Sequence, residues 1–248
     1  MGDEADDPAG EPMFNVPPMV LALLALMIAV MGLRWALDPD QDTILVLTMA
    51  LIPARLAGLA SQLPGGEPAI VSQFLTHMFV HADTAHLMFN GASLLAFAGA
   101  IEKRIGSMRT LLYFVTCGLA GAFTFILINP GLLAPMIGAS GAIAGMMGGL
   151  MRFFFSALDH GGLRQLNEAP QSVPLAPLVA ALRDQRLLVV TAVFILMNIA
   201  AMIGLGDLNA DGAIAWEAHI GGYLAGLFLF GLFDVAPRHE NSRQPLSD

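Results

Sequence analysis

The stretch IGASGAIAGMMGGL, residues 137–150, decides how this chain must fold. It carries one hydroxyl, Ser140, among Gly, Ala, Ile, Met and Leu, and no charge lies between Asn129 and Arg152. An uncharged run of that length approaches the ~20 residues that a helix needs to cross a bilayer. The composition points the same way. The 248 residues are 56% hydrophobic and only 12% charged, about half the charge of an ordinary soluble domain. The chain is therefore predicted to be an all-α polytopic membrane protein with little soluble mass. A lone serine between glycines, inside a bilayer, then needs a reason.

Six apolar runs are predicted to span: 18–37, 85–101, 110–128, 140–155, 187–203 and 219–233. Residues 43–59 are also apolar, but Pro53 and Arg55 interrupt them. They suit a re-entrant or interfacial first outer loop better than a seventh span. Residues 161–186, with Pro170, Pro174 and Pro177, read as a polar loop, as do residues 204–218. Residues 1–17 read as an acidic, disordered cytoplasmic tail, 18–235 as the membrane domain and 236–248 as a short cytoplasmic tail. Asp3, Glu4, Asp6, Asp7 and Glu11 supply much of the net charge of −9. No basic patch indicates nucleic acid. The single Cys117 excludes an internal disulfide. The N-terminus lacks a positive segment and an A-x-A site, so no cleaved signal peptide is expected.

Lysine and arginine orient the six spans. With an internal N-terminus, Lys103, Arg104, Arg109, Arg152, Arg164, Arg183, Arg186, Arg238 and Arg243 lie inside, and only Arg34 and Arg55 outside. A seventh full span at 43–59 would invert this balance. The second, fourth and sixth spans then run from outside to inside. Their intramembrane polar residues, His86 and Asn90, Ser140, and His219, all lie near the outer ends. Such residues are costly in lipid and mark function.

Spacing adds detail. His86 and Asn90 are i, i+4 and share a face. Gly141 and Gly145 on the fourth span, and Gly222 and Gly226 on the sixth, form small-residue ridges that let helices approach closely. Packing them together brings Ser140 toward His219, and a serine beside a histidine base is a nucleophile. A fourth helix ending at Phe155 would be about 24 Å long, short of a ~30 Å core, which would start Ser140 below the outer surface. The free N–H groups of its first turn would face an oxyanion there. Each feature alone has a plainer reading: helix packing, a serine bonded to its i−4 carbonyl, or an interhelical strut. His77, His81 and His86 are metal-ligand types. Yet H-E-x-x-H is absent, and the i, i+4, i+9 spacing splays His86 from the other two. A channel would continue its polar residues through the inner halves of these helices, which are Leu, Ala, Phe and Gly.

Four blocks in order resemble the rhomboid intramembrane serine proteases. They are HMFVHADTAHLMFN at 77–90, EKRIGS at 102–107, GASG at 138–141 and AHIGGYLAG at 218–226. The resemblance implies a six-transmembrane-helix rhomboid-like bundle and a Ser–His dyad without a third acid. Ser140 would be the nucleophile and His219 the base. His86, Asn90 and the Ser140 backbone N–H would form the oxyanion hole. His81 and His77 would support the site or hold water. It implies no cofactor and no metal. The expected partners are the lipid bilayer and transmembrane protein substrates, cut near the outer face and admitted past Phe89 between the second and fifth spans. The expected location is a bacterial inner membrane, with both termini cytoplasmic. A non-proteolytic relative that binds transmembrane helices is the alternative, and the retained Ser140 and His219 argue against it. Two positions depart from the family. Ser72-Gln73 stand where many bacterial members carry Trp-Arg in the first outer loop. Ala144 stands where some have an aromatic packed on the base, so His219 must be oriented by another group.

Overall fold

The computed structural model describes residues 16–203 and 215–234. The acidic residues 3–11, the outer stretch 204–214 and the tail 236–248 lie outside the described residues. Ten helices follow in order: α1 (Pro18–Trp35), α2 (Pro39–Met49), α3 (Ala69–Thr76), α4 (Thr84–Ile105), α5 (Ser107–Ile128), α6 (Ser140–His160), α7 (Gly162–Glu168), α8 (Leu178–Ala181), α9 (Gln185–Met202) and α10 (Trp216–Phe233). Short 3₁₀ turns complete the chain, and no strand forms among the described residues. By length and apolarity α1, α4, α5, α6 and α9 can cross a bilayer. α10 has the 18 residues of α1 and α9, but Glu217 and His219 dilute its first turns. The chain is an integral membrane protein with an all-α polytopic bundle.

The first outer loop forms no span. Asp38 caps α2 by accepting from the Gln41 N–H at 2.9 Å, Pro39 starts it and the Pro53 turn lies just beyond its end. Two span ends lie further along than the charges predict. α4 runs through Glu102 and Arg104 to Ile105, and α6 runs past Arg152 to His160. The reason is common to both: these charges are satisfied inside the protein, so they do not mark the surface. Arg152 donates to the Leu227 carbonyl at 2.9 Å and to the Ala176 carbonyl at 2.8 Å. With 21 residues, α6 is about 31 Å long, so the expectation of a short, submerged fourth helix does not hold. The segment predicted as a polar loop after it contains α7 and α8. Trp216 opens α10 rather than belonging to the preceding loop.

α6 is the central element. Of its apolar stretch 72% is buried, against 11% for α9. α10 packs closest to it through glycines. A Cβ on Gly222 would lie 2.8 Å from the Gly141 carbonyl carbon, and one on Gly226 2.6 Å from that of Gly145. On the third side, a Cβ on Gly121 of α5 would sit 2.6 Å from the Ala218 oxygen. Tyr113 of α5 donates to the Gly145 carbonyl at 2.9 Å. Lipid offers no hydrophobic force between helices, so backbone-to-backbone packing of this kind is what holds them.

Both ends of the bundle bury ions. At one end Glu102 accepts from the N–H groups of Met19 and Val20 at 2.9 and 2.8 Å and from Ser107 Oγ at 2.6 Å. It thereby caps α1, which has no side-chain cap of its own. Arg104 makes a two-pronged bond to Asp234 at 3.0 and 2.8 Å and donates to the Pro170 and Val173 carbonyls. Two of the nine cations assigned to the inner side are thus packing elements. At the other end Arg55, fully buried, sits inside the first outer loop. It donates to the carbonyls of Ala50 at 2.6 Å and Pro64 at 2.9 Å, to Gln73 Oε1 at 3.0 Å, and to Leu47. Gln73 Oε1 also accepts from the Ile52 N–H at 3.0 Å. The loop lacking the family's Trp-Arg is therefore anchored by Arg55 and Gln73 instead. It shields the irregular segment before α6: Leu51 and Met136 exchange backbone bonds of 3.0 and 2.9 Å, and the Ala54 N–H reaches the Leu132 carbonyl at 3.0 Å.

Two outcomes follow from this packing. Gly222→Val forces α6 and α10 apart, and we expect it to cost about 3 kcal/mol, the upper range for overpacking. Thermal unfolding of the purified protein reads this, and a variant as stable as the parent would contradict the packing. Arg55→Ala leaves buried carbonyls and Gln73 without a donor, at about 3 kcal/mol. Arg55→Lys should recover only part, because one ammonium cannot reproduce the fork. Limited proteolysis of residues 50–66 should accelerate in both. Unchanged cleavage in Arg55→Ala would show that the loop is held otherwise.

Candidate active site

The chain enters α6 through Gly138 and Ala139. Gly138 has φ +110°, and a Cβ there would lie 2.8 Å from Cε1 and Nε2 of His86. Both the backbone angle and the space require glycine. The Gly138 N–H is tied to the His77 carbonyl at 2.9 Å. Ala139 caps α6 without a side-chain bond, and the helical ladder starts with the Ile143 N–H on the Ala139 carbonyl at 2.9 Å. The N–H groups of Ser140, Gly141 and Ala142 precede that ladder and have no i−4 carbonyl to bond. The helix dipole adds partial positive charge at the same place.

Ser140 Oγ lies 2.7 Å from His219 Nε2. Both residues are half-buried, so the pair is enclosed by protein on one side and open on the other. The other ring nitrogen, Nδ1, lies 2.8 Å from Asn198 Oδ1 on α9. Asn198 Nδ2 donates to the Phe194 carbonyl at 2.8 Å, which leaves Oδ1 as the acceptor toward the imidazole. Nδ1 therefore carries the proton, and Nε2 presents its lone pair to the Ser140 hydroxyl. Asn198 thus bonds the imidazole, against which Ala144 has no ring to pack. Sequence reading missed Asn198. Its signal was a lone amide in the apolar run ILMNIAA, the kind of intramembrane polar residue that marks function.

α4 brings two further groups. Asp83 caps the helix by accepting from the His86 N–H at 2.8 Å. The Ala82 N–H reaches His86 Nδ1 at 3.4 Å, so His86 Nε2, lying over Gly138, is the protonated nitrogen. Asn90 donates one Nδ2 hydrogen to the His86 carbonyl at 2.9 Å and keeps a second. Asn90, Ser140 and His219 line one cleft of about 200 Å³, walled by Phe89, Ser93 and Phe97 of α4, Ile143, Ala144 and Met147 of α6, and Phe194 of α9. Phe89 is 75% exposed at its mouth. Gly141, Gly145, Gly222 and Gly226 form the seam behind it.

His81 and His86 meet edge to face, ring centroids 5.1 Å apart. The i, i+4, i+9 argument that splays them assumed a continuous helix, but the backbone is irregular from Val80 to Asp83. His77 points elsewhere. Its Nδ1–H donates to the Gln73 carbonyl at 2.8 Å, and burial pushes its pKa down to about 4, so it is neutral at ordinary pH. Among the described residues no group of three or more His, Cys, Asp or Glu side chains is placed to hold a metal ion.

The family model for the Rhomboid domain matches residues 68–234. Rhomboid protease GluP of Bacillus subtilis (strain 168) is 37% identical over 79 residues, 32% of this chain and 15% of that protein. Putative rhomboid protease YdcA of the same organism is 37% identical over 76 residues, 31% of this chain and 38% of that one. Rhomboid-like protease 5 of Toxoplasma gondii is 25% identical over 162 residues, 65% of this chain and 16% of that protein. The chain spans well under half the length of each of these relatives. Its own greater part, from the first outer loop through α10, is matched by one family model, and the chain belongs to the rhomboid family.

Proposed function

We propose that this chain is an intramembrane serine endopeptidase that hydrolyses peptide bonds in or near transmembrane segments of other membrane proteins. The observation that carries the reading is the 2.7 Å contact between Ser140 Oγ and His219 Nε2, made at a helix N-terminus inside an apolar cleft. In the first step Ser140 Oγ attacks the substrate carbonyl carbon and its proton passes to His219 Nε2. The carbonyl oxygen becomes an oxyanion. The Ser140 backbone N–H, Asn90 Nδ2 and His86 Nε2–H donate to it from fixed positions. The His219 imidazolium then protonates the leaving nitrogen, which leaves an acyl ester on Ser140. Water attacks that ester with His219 as base, and Ser140 is restored. No metal or cofactor enters any step.

The substrate side follows from the cleft. Phe89 on α4 and Phe194 on α9 flank its opening, and apolar walls suit an apolar segment arriving from the bilayer. Phe89 is the candidate gate. His81 supports the His86 ring edge to face, and the His77 carbonyl holds the Gly138 N–H. The distribution of lysine and arginine supports cytoplasmic termini, in keeping with a bacterial inner membrane.

Two measurements test the reading. A serine-reactive fluorophosphonate should label the purified protein, and Ser140→Ala should abolish the labelling. Ser140→Ala and His219→Ala should each lower turnover of a single-span substrate about 10³-fold or more with the fold intact. Wild-type turnover by either folded variant sinks the mechanism. His86→Ala and Asn90→Ala each remove one donor of several, so turnover should fall by up to about 10²-fold with KM little changed. Both should still be labelled at Ser140, more slowly than the parent. If Asn90→Ala instead unfolds many degrees lower while its folded fraction turns over at the parental rate, the residue is a strut.

A further inference from the structure

The least buried span carries a buried amide. Of the residues of α9 only Leu187 and Asn198 are fully buried, and the rest of the helix largely faces outward. Burying an amide costs free energy unless its groups are bonded. Here both ends are: Nδ2 to the Phe194 carbonyl at 2.8 Å and Oδ1 to His219 Nδ1 at 2.8 Å. The reverse amide orientation would set its oxygen against the Phe194 carbonyl oxygen, so the amide and the imidazole tautomer determine each other. Among the described residues no other group bonds His219 Nδ1.

We infer that Asn198 is a positioning residue for His219, a third member supplied by α9 to the Ser140–His219 pair. This rests on the reading of that pair as a dyad. Asn198 holds the imidazole in the tautomer whose Nε2 accepts the Ser140 proton, and it accepts the bond from Nδ1–H that strengthens as the imidazolium forms. Being neutral, it supplies orientation without the charge stabilisation of an acid. The placement has a second consequence. α9 holds α10 along one face, through Thr191 Oγ1 and Tyr223 OH at 2.6 Å, Phe194 stacked on Tyr223 at 4.8 Å, and Asn198 on His219. Positions 191, 194 and 198 lie one and two turns apart on that face. Phe194 also walls the cleft. The helix that borders the substrate's path therefore also orients the base, and the base is fully oriented only while α9 is docked.

The test uses the full chain, with Ser140→Ala as reference. Asn198→Leu keeps the branched shape at a somewhat larger size and removes the acceptor. It should slow fluorophosphonate labelling of Ser140 and lower kcat on a single-span substrate by about 10- to 100-fold, less than loss of an acidic third member, with KM within about twofold. Thr191→Val removes one hydroxyl contact of the same seam while Asn198 stays on His219, and should slow labelling far less than Asn198→Leu. If Asn198→Leu fails to fold, Asn198→Ala is measured in the same way. Labelling of a folded Asn198→Leu or Asn198→Ala variant at the parental rate overturns the inference, as does equal slowing by Thr191→Val. Persistence of labelling in Ser140→Ala would instead overturn the dyad itself, whatever Asn198 does.

Discussion

The backbone contact between α6 and α10 is the constraint on which the rest of the molecule depends. Ser140 and His219 lie 79 residues apart in sequence. They meet because Gly141 faces Gly222 and Gly145 faces Gly226 with no side chain between them. In lipid the attraction between helices is short-ranged packing, so one added methyl group moves both helices and everything they carry. A hydrogen bond of 2.7 Å leaves little tolerance. The same seam draws in α5, whose Gly121 lies on the Ala218 backbone and whose Tyr113 bonds the Gly145 carbonyl. The site is thus an outcome of a three-helix packing and not of a loop.

Around that seam the protein secures its ends with buried ions. Arg55, Glu102, Arg104 and Arg152 each reach backbone groups that helix ends and irregular segments leave unpaired. Such charges are tolerated inside when most of their polar atoms are bonded. Their work is to hold segments that cannot pair with themselves: the first outer loop, the start of α1, the inner connection and the turns after α7. The backbone beside Ser140 is treated differently. Its helix start has no capping side chain, and Ser140 lines the cleft. A bundle secured at both ends and left open at one helix terminus can present polar groups to an incoming chain without reorganising them first, which is where electrostatic catalysis draws its effect.

α9 is the counterweight to this rigidity. It is half as deeply engaged as any comparable span, since 11% of it is buried and the next lowest, α1, has 22%. It meets α10 through a hydroxyl pair, a ring stack and the Asn198 amide. A helix with so few interior contacts moves at lower cost than one packed like α6. The asymmetry between a tightly packed α6–α10 pair and a lightly held α9 makes the wall that carries Phe194 and Asn198 the one least fixed by packing.

Much of this was legible in the sequence because lipid imposes simple rules. Apolar length located the spans within a few residues, and breakers such as Pro53 kept 43–59 from being counted among them. Small residues at i, i+4 marked which faces could approach, and polar residues in apolar runs marked where to look. Those signals report on one helix at a time. They could not tell that Arg104 and Arg152 lie inside the bundle, because a charge reads as a surface until its partners are known. They could not find Arg55 as the anchor of the outer loop, or bring His81 against His86 across an irregular turn. Asn198 stood in the sequence as a single amide. Its role toward the Nδ1 of His219 exists only once α9 is laid beside α10, because the tautomer of an imidazole is set by the group that meets it in space. The sequence alone determined an all-α membrane protein and the residue types of its site. The tertiary structure decided which of them touch, since hydrogen bonds depend on distances of tenths of an ångström that helical periodicity does not encode.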